Sequence, residues 1–192
     1  MAHPLAHPNP KTPEVPNGII VVSGPSRGGT SRWAAHLLNS QETGTDIATS
    51  AHRSNDPSWD ERLRLHRERR PTHWQLREPG SKLTECIQRE EATQALLIDA
   101  LGGFTAMHLH CKDHQWEQEA EQLLQSLLTR TRPTVIVVEE TGWGVVPPTV
   151  IGGLFRDRQG WLAQQLEQNA ADSWLVVQGR AMNLSQLGIL VP

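Results

Sequence analysis

Gly18-Ile-Ile-Val-Val-Ser23 runs straight into Gly24-Pro-Ser-Arg-Gly-Gly-Thr-Ser31, and this junction decides the fold. Its first half is short, wholly apolar and β-branched, the profile of a central strand covered on both faces. From Ser31 onward, Trp33, Ala34, Leu37 and Leu38 fall at helical spacing. Strand, glycine-rich turn and helix therefore follow one another directly, as they do around a P-loop, GxxxxGK followed by Ser or Thr. The match holds at Gly24, Gly29 and Ser31 and fails at the lysine, which is Thr30. Glycines let backbone N–H groups turn toward phosphate oxygens, the helix start adds positive potential, and a hydroxyl such as that of Ser31 suits Mg²⁺. Thr30 brings none of the charge a lysine carries to the β- and γ-phosphates.

Working outward, the pattern alternates. A weak strand is expected at Asp46 to Thr49, a helix from Asp56-Pro57-Ser58 to Pro71, and a short amphipathic helix over Lys82 to Glu91. Ala95-Leu-Leu-Ile-Asp99 reads as a buried strand, followed by a helix opened by Gly102-Gly103 and holding Phe104, Met107 and Leu109. Trp116 to Arg130 carries Leu123, Leu124, Leu127 and Leu128 on one stripe, and Pro133 separates it from the strand Thr134 to Val138. Glu139 to Pro147 is a loop by its glycines and proline, Thr149 to about Ala171 a long helix, and Trp174 to Val177 the last buried strand. Alternating strands and helices predict one α/β domain, a mostly parallel sheet with helices on both faces and its ligands at the polar strand ends. The domain should span residues 18–182, after a Pro-rich disordered tail at 1–17 and before a C-terminal tail at 183–192.

Composition narrows the function. The 192 residues hold 18 Lys+Arg against 21 Asp+Glu, a net charge of -3, which gives no electrostatic reason to expect nucleic acid as a partner. A chain this long can bury roughly two thirds of its unfolded surface, so it folds without disulfides. Its two cysteines, Cys86 and Cys111, fit a reducing compartment. No apolar run approaches the ~20 residues that cross a bilayer, and no signal peptide is visible, so a soluble cytoplasmic protein is expected.

Two further features carry chemistry. Asp99 and Glu139 or Glu140 end buried strands, where a carboxylate can hold Mg²⁺ directly or through water. Arg62, Arg64, Arg67, Arg69, Arg70 and Arg77 surround His66 in a chain of negative total, a clustering suited to a polyphosphate. His66 shares a helical face with Trp59 and Leu63; a lone histidine there is ordinarily a hydrogen-bonded core residue, but the guanidinium groups favour a neutral imidazole able to attack phosphorus. His108, His110 and His114 with Cys111 complete no metal-ligand spacing and read as surface residues. The tryptophans read as core or interface anchors.

The order of these motifs is specific. The GPSRGGTS turn, Ile47 to Ser50, His66-Arg-Glu-Arg-Arg-Pro71 with Trp74 and Glu78, Leu97-Ile-Asp99, Val137 to Pro147, Phe155-Arg-Asp157 and Trp174 to Val177 resemble the bifunctional adenosylcobinamide kinase/adenosylcobinamide-phosphate guanylyltransferase family. The likeness covers about residues 18–178. It implies a RecA-like P-loop fold, a homotrimer, and two reactions of cobalamin assembly. A nucleoside triphosphate (ATP or GTP) phosphorylates adenosylcobinamide, and GTP then transfers GMP through a histidine to the product phosphate. His66 matches the guanylylated histidine. Nucleotide contacts are implied for Gly24, Pro25, Ser26, Arg27, Gly28, Gly29, Thr30, Ser31, Thr49, Ser50, Ala51, Arg67, Glu68, Arg69, Arg70, Glu78 and Asp99, and Mg²⁺ contacts for Ser31 and Asp99.

The sequence departs from the family at Thr30 and at Ala35, where relatives often carry an acidic residue. The missing lysine weighs most on γ-phosphoryl transfer, whereas guanylyl transfer reacts at the α-phosphorus, and Arg27 or Arg32 are available substitutes. The rival expectation is a non-catalytic nucleotide- or corrinoid-binding subunit derived from the same family.

Overall fold

A computed structural model describes residues 13–49, 64 and 71–191. Seven strands form one sheet: β1 (Gly18–Gly24), β2 (Gly44–Ala48), β3 (Gln75–Arg77), β4 (Ala95–Asp99), β5 (Pro133–Glu139), β6 (Ala170–Val177) and β7 (Arg180–Asn183). Their order is β3-β2-β4-β5-β1-β6-β7, and every neighbouring pair is parallel except β6 with β7. The described helices are α1 (Thr30–Leu37), α2 (Leu83–Arg89), α3 (Leu101–Met107), α4 (Asp113–Leu128), α5 (Val150–Glu167) and the single turn α6 (Leu184–Leu187).

β1 sits inside the sheet because both its faces are apolar. Ile19 and Val21 join one core with residues of α2, α3, α4 and α5, among them Leu83, Phe104, Leu123 and Leu162. Ile20 and Val22 join a second core on the other face with Ala34, Leu37 and Leu38 of the α1 region, Trp74 and Trp174. The period-2 alternation of a strand thus supplies both layers at once. The α/β architecture expected from the sequence, a mostly parallel sheet covered on both faces, is the one found.

Several boundaries need correction. The long helix ends at Glu167, not near Ala171, and β6 begins at Ala170; no apolar signal marks Ala170-Ala-Asp172, which is strand because it pairs with β1. Leu109 lies beyond the end of α3. The strand at Asp46–Thr49 runs from Gly44 to Ala48. β3 and β7 were not expected: three residues are too few for periodicity, and Arg180-Ala-Met-Asn183 has no apolar alternation of its own. Val15, placed in the tail by its proline-rich surroundings, packs against the second core. His108 is buried, not on the surface; its Nδ1 lies 2.8 Å from the Phe104 carbonyl, and its ring lies against Phe104.

Candidate functional site

Parallel pairing brings the C-terminal ends of β1 to β6 to one edge of the sheet, and the turn after β1 opens there. Gly24 (φ +156°) and Gly29 (φ +108°) adopt backbone conformations that side chains rarely take. Gly28 is needed for a different reason: a Cβ there would lie 2.7 Å from the Val176 carbonyl oxygen of β6. Arg27, at φ +62°, is a non-glycine in the left-handed region, a strain of order 1 kcal/mol.

Hydrogen bonds then fix which way the peptides point. Gly28 N–H donates to the Pro25 carbonyl at 2.9 Å, closing the turn. The Gly28 carbonyl accepts from Gly179 N–H at 2.9 Å, in the two-residue turn Gln178-Gly179 between β6 and β7. In a trans peptide C=O and N–H point opposite ways, so Gly29 N–H faces away from that turn. Glu140 N–H donates to the Gly24 carbonyl at 2.9 Å, tying the other end of the loop to the end of β5. Positive φ at Arg27 and Gly29 is the kind of backbone from which anion-binding concavities are built, and α1 begins from Gly29. Its N-cap, Gly29, offers no side-chain cap, and its first turn has no acidic residue. The leading amides of α1 are thus open to an anion.

Ser31 is the second residue of α1, where the pattern puts the metal-binding hydroxyl. The Thr30 methyl Cγ2 lies 3.0 Å from where a Cβ on Gly24 would sit, so this side chain folds back over the loop. Glu139 stands level with Gly24, one strand away, and accepts from Gly102 N–H of α3 at 2.9 Å. Asp99 ends β4, which β5 separates from β1, and is level with Val137 of β5. Thr49 is buried beside it: its hydroxyl donates to the Ala100 carbonyl and its N–H to the Asp99 carbonyl at 3.4 Å. Of the expected site residues, the structure brings Gly24, Pro25, Ser26, Arg27, Gly28, Gly29, Thr30 and Ser31 together. It places Thr49 beside Asp99 farther along the same edge.

Glu78 follows β3, four strand spacings or ~19 Å from β1, and is exposed. Arg77 is removed from the expected polyphosphate cluster: its Nε donates to Glu90 at 2.8 Å, and Glu90 also accepts from the Thr45 hydroxyl at 2.7 Å. Arg64 is helical and exposed. Ser50, Ala51, His66, Arg67, Glu68, Arg69 and Arg70 lie outside the described residues.

A cleft of about 370 Å³ adjoins the loop's β5 side, lined by Glu139, Glu140, Gly142, Arg156, Asp157 and Trp161 among others. The segment beyond it exposes Trp143, Val145, Val146, Val150 and Ile151. The hairpin turn at Gln178-Gly179 is the element sequence reasoning missed. Its signal was present: Gln-Gly between Val177 and Arg180, with both turn residues at positive φ, is two-residue hairpin chemistry.

Comparisons with known proteins meet this geometry. The family model for cobinamide kinase / cobinamide phosphate guanyltransferase matches residues 20–184. The bifunctional adenosylcobalamin biosynthesis protein CobP of Pseudomonas aeruginosa is 32% identical over 166 residues, covering 85% of this chain and 95% of that protein. The bifunctional adenosylcobalamin biosynthesis protein CobU of Escherichia coli K12 is 32% identical over 176 residues, covering 84% and 96%. A solved Pyrococcus horikoshii OT3 protein shares the fold at a TM-score of 0.51 and 8% identity, over 91% of this chain and 88% of that one. The strand–loop–helix at Gly18 to Leu37 falls almost wholly within the matched region, as do all the strands. The chain belongs to the cobinamide kinase / cobinamide phosphate guanyltransferase family of cobalamin biosynthesis.

Proposed function

We propose that this protein converts adenosylcobinamide to adenosyl-GDP-cobinamide, with guanylyl transfer the stronger of its two steps. The observation that carries the reading is the loop itself: an anion-binding turn with open helix amides whose lysine position, Thr30, folds back over Gly24. Such a loop still grips phosphates through its backbone, but lacks the ammonium that neutralises the β–γ bridge during γ-phosphoryl transfer.

In the guanylyl step a ring nitrogen of His66 attacks the α-phosphorus of GTP. The N–P bond forms as the bond to the β-phosphate bridging oxygen breaks, pyrophosphate leaves, and the imidazole loses its proton. A phosphate oxygen of adenosylcobinamide phosphate then attacks the same phosphorus, and the N–P bond breaks to release His66. Arg67, Glu68, Arg69 and Arg70 flank that histidine, and the three arginines balance phosphate charge. Ser50, Ala51, Thr49 and Glu78 are read as further nucleotide contacts. In the weaker step ATP or GTP gives its γ-phosphoryl group to the acceptor hydroxyl.

Mg²⁺ fits the donors present, because a hydroxyl at Ser31 and a strand-end carboxylate at Asp99 are hard oxygen ligands of the kind it takes alongside substrate phosphates. When bound it supplies charge neutralisation on the phosphates; Ser31 and Asp99 would hold it. The working unit is read as residues 18–182, assembled as a cytoplasmic homotrimer.

The test is incubation with Mg²⁺ and GTP labelled at the α-phosphate. An acid-labile, base-stable adduct that disappears in His66→Ala is expected. GTP binding without any adduct or pyrophosphate release would replace this reading with a non-catalytic nucleotide-binding subunit, a rival that Thr30 keeps specific.

A further inference from the structure

Three exposed arginines belong to the loop and its neighbours: Arg27 within it, Arg32 in α1 and Arg180 after the β6–β7 turn. Among the described residues no carboxylate forms an ion pair with any of them. The Arg32 guanidinium lies against the loop. Its Nη2 lies 3.4 Å from where a Cβ on Gly29 would sit and 3.8 Å from the corresponding point on Gly179. Two glycines, one from the loop and one from the β6–β7 turn, therefore line the place of this guanidinium, where an added Cβ would come into ordinary contact with it. The bond from Gly179 N–H to the Gly28 carbonyl holds the loop and the turn together.

Position along the loop decides what this charge can reach. The backbone N–H groups of such a loop cradle the α- and β-phosphates, and a P-loop lysine reaches on to the β and γ groups. The Arg32 guanidinium is seated against Gly29, at the helix-start end. We infer that Arg32 is a nucleotide-binding residue that neutralises the α/β-phosphate end of a guanine nucleotide, with the β6–β7 turn as its support. The lost lysine charge is thus not restored where it was; it is supplied nearer the phosphorus that guanylyl transfer attacks. This inference rests on the proposed guanine-nucleotide function and adds a residue to it.

The experiment is calorimetric titration of the full chain with GDP and with GTP, in Mg²⁺, for wild type, Arg32→Met and Arg32→Lys. Loss of a charge-assisted phosphate contact should weaken binding by ~10–100-fold. The loss in Arg32→Met should be equal for GDP and GTP, because both carry the α and β groups, and Arg32→Lys should recover part of it. Circular dichroism melts of both variants should match wild type, since the side chain is exposed. Unchanged affinities in Arg32→Met, or a loss confined to GTP, overturn the inference while leaving the proposed function intact. Wild-type protein that binds neither nucleotide overturns both. If Arg32→Met melts early, the comparison of Arg32→Lys with wild type decides: a lysine that costs GTP more than GDP places the charge at the γ end and overturns the assignment.

Discussion

Thr30 concentrates the chemistry of this chain in one side chain. Its methyl rests over Gly24, and a lysine grown from the same Cα would start from the first position of α1. Thr30→Lys is therefore expected to raise phosphorylation of the cobinamide hydroxyl by on the order of 10²-fold, the usual weight of one such electrostatic contact. Guanylylation should change much less, and assaying the two half-reactions separately checks this. Gly24→Ala is expected to act in the opposite direction. The new Cβ would meet the Val176 carbonyl at φ +156°, so nucleotide binding should fall and the melting temperature drop with it. The loop was legible in the sequence because glycines at fixed spacing have few other uses between a strand and a helix. Arg32's seat was not, because half of it comes from Gly179, and nothing in a linear sequence pairs those two residues.

At the scale of elements, the strands that were readable are those whose burial is intrinsic. β1, β4 and β5 are apolar on both faces, so any placement in a covered sheet would bury them. β3 and β7 are strands only through their neighbours, and their stability resides in side-chain ties. Asp172 of β6 shows how: its Oδ1 accepts from Ser173 N–H and the Asn183 amide, and its Oδ2 from the Trp174 indole, each at 2.9 Å. Arg130 does similar service after α4. Its guanidinium donates to the carbonyls of Glu90, Glu91 and Gln94 at 2.9, 2.8 and 2.7 Å, anchoring the turn that leads into β4. Arg130→Met leaves those carbonyls without their donors and should destabilise the fold by about 3 kcal/mol in urea titration. Nucleotide affinity measured well below the unfolding midpoint should be unaffected, because this tie lies at the opposite edge of the sheet from the loop.

For the molecule as a whole, stability should carry a pH signature from Glu167 at the end of α5. Burial pushes its carboxyl above the ordinary range, and Asp172 pushes it the same way. A carboxyl whose folded value is raised holds its proton longer in the native state. Stability is thus lost as pH rises from the ordinary carboxylate range through the raised value. Glu167→Gln should consequently melt higher than wild type near neutrality, with the gain shrinking toward zero below about pH 4. A constant gain at every pH would point to packing instead. Function on this scale was legible only from the order of motifs. The sheet brings one strand end after another to a single edge, but which chemistry that edge serves was readable only from the sequence of motifs along the chain.

The bond between Gly179 and Gly28 has a consequence in time. During synthesis the first strand, loop and helix leave the ribosome long before β6 and β7, yet the carbonyl that orients the loop finds its donor only in that last hairpin. A nascent or truncated chain lacking residues 170–183 should therefore present a loop that has not set and should hold nucleotide poorly. Guanine nucleotide would then be taken up by finished chains and passed over by partial ones.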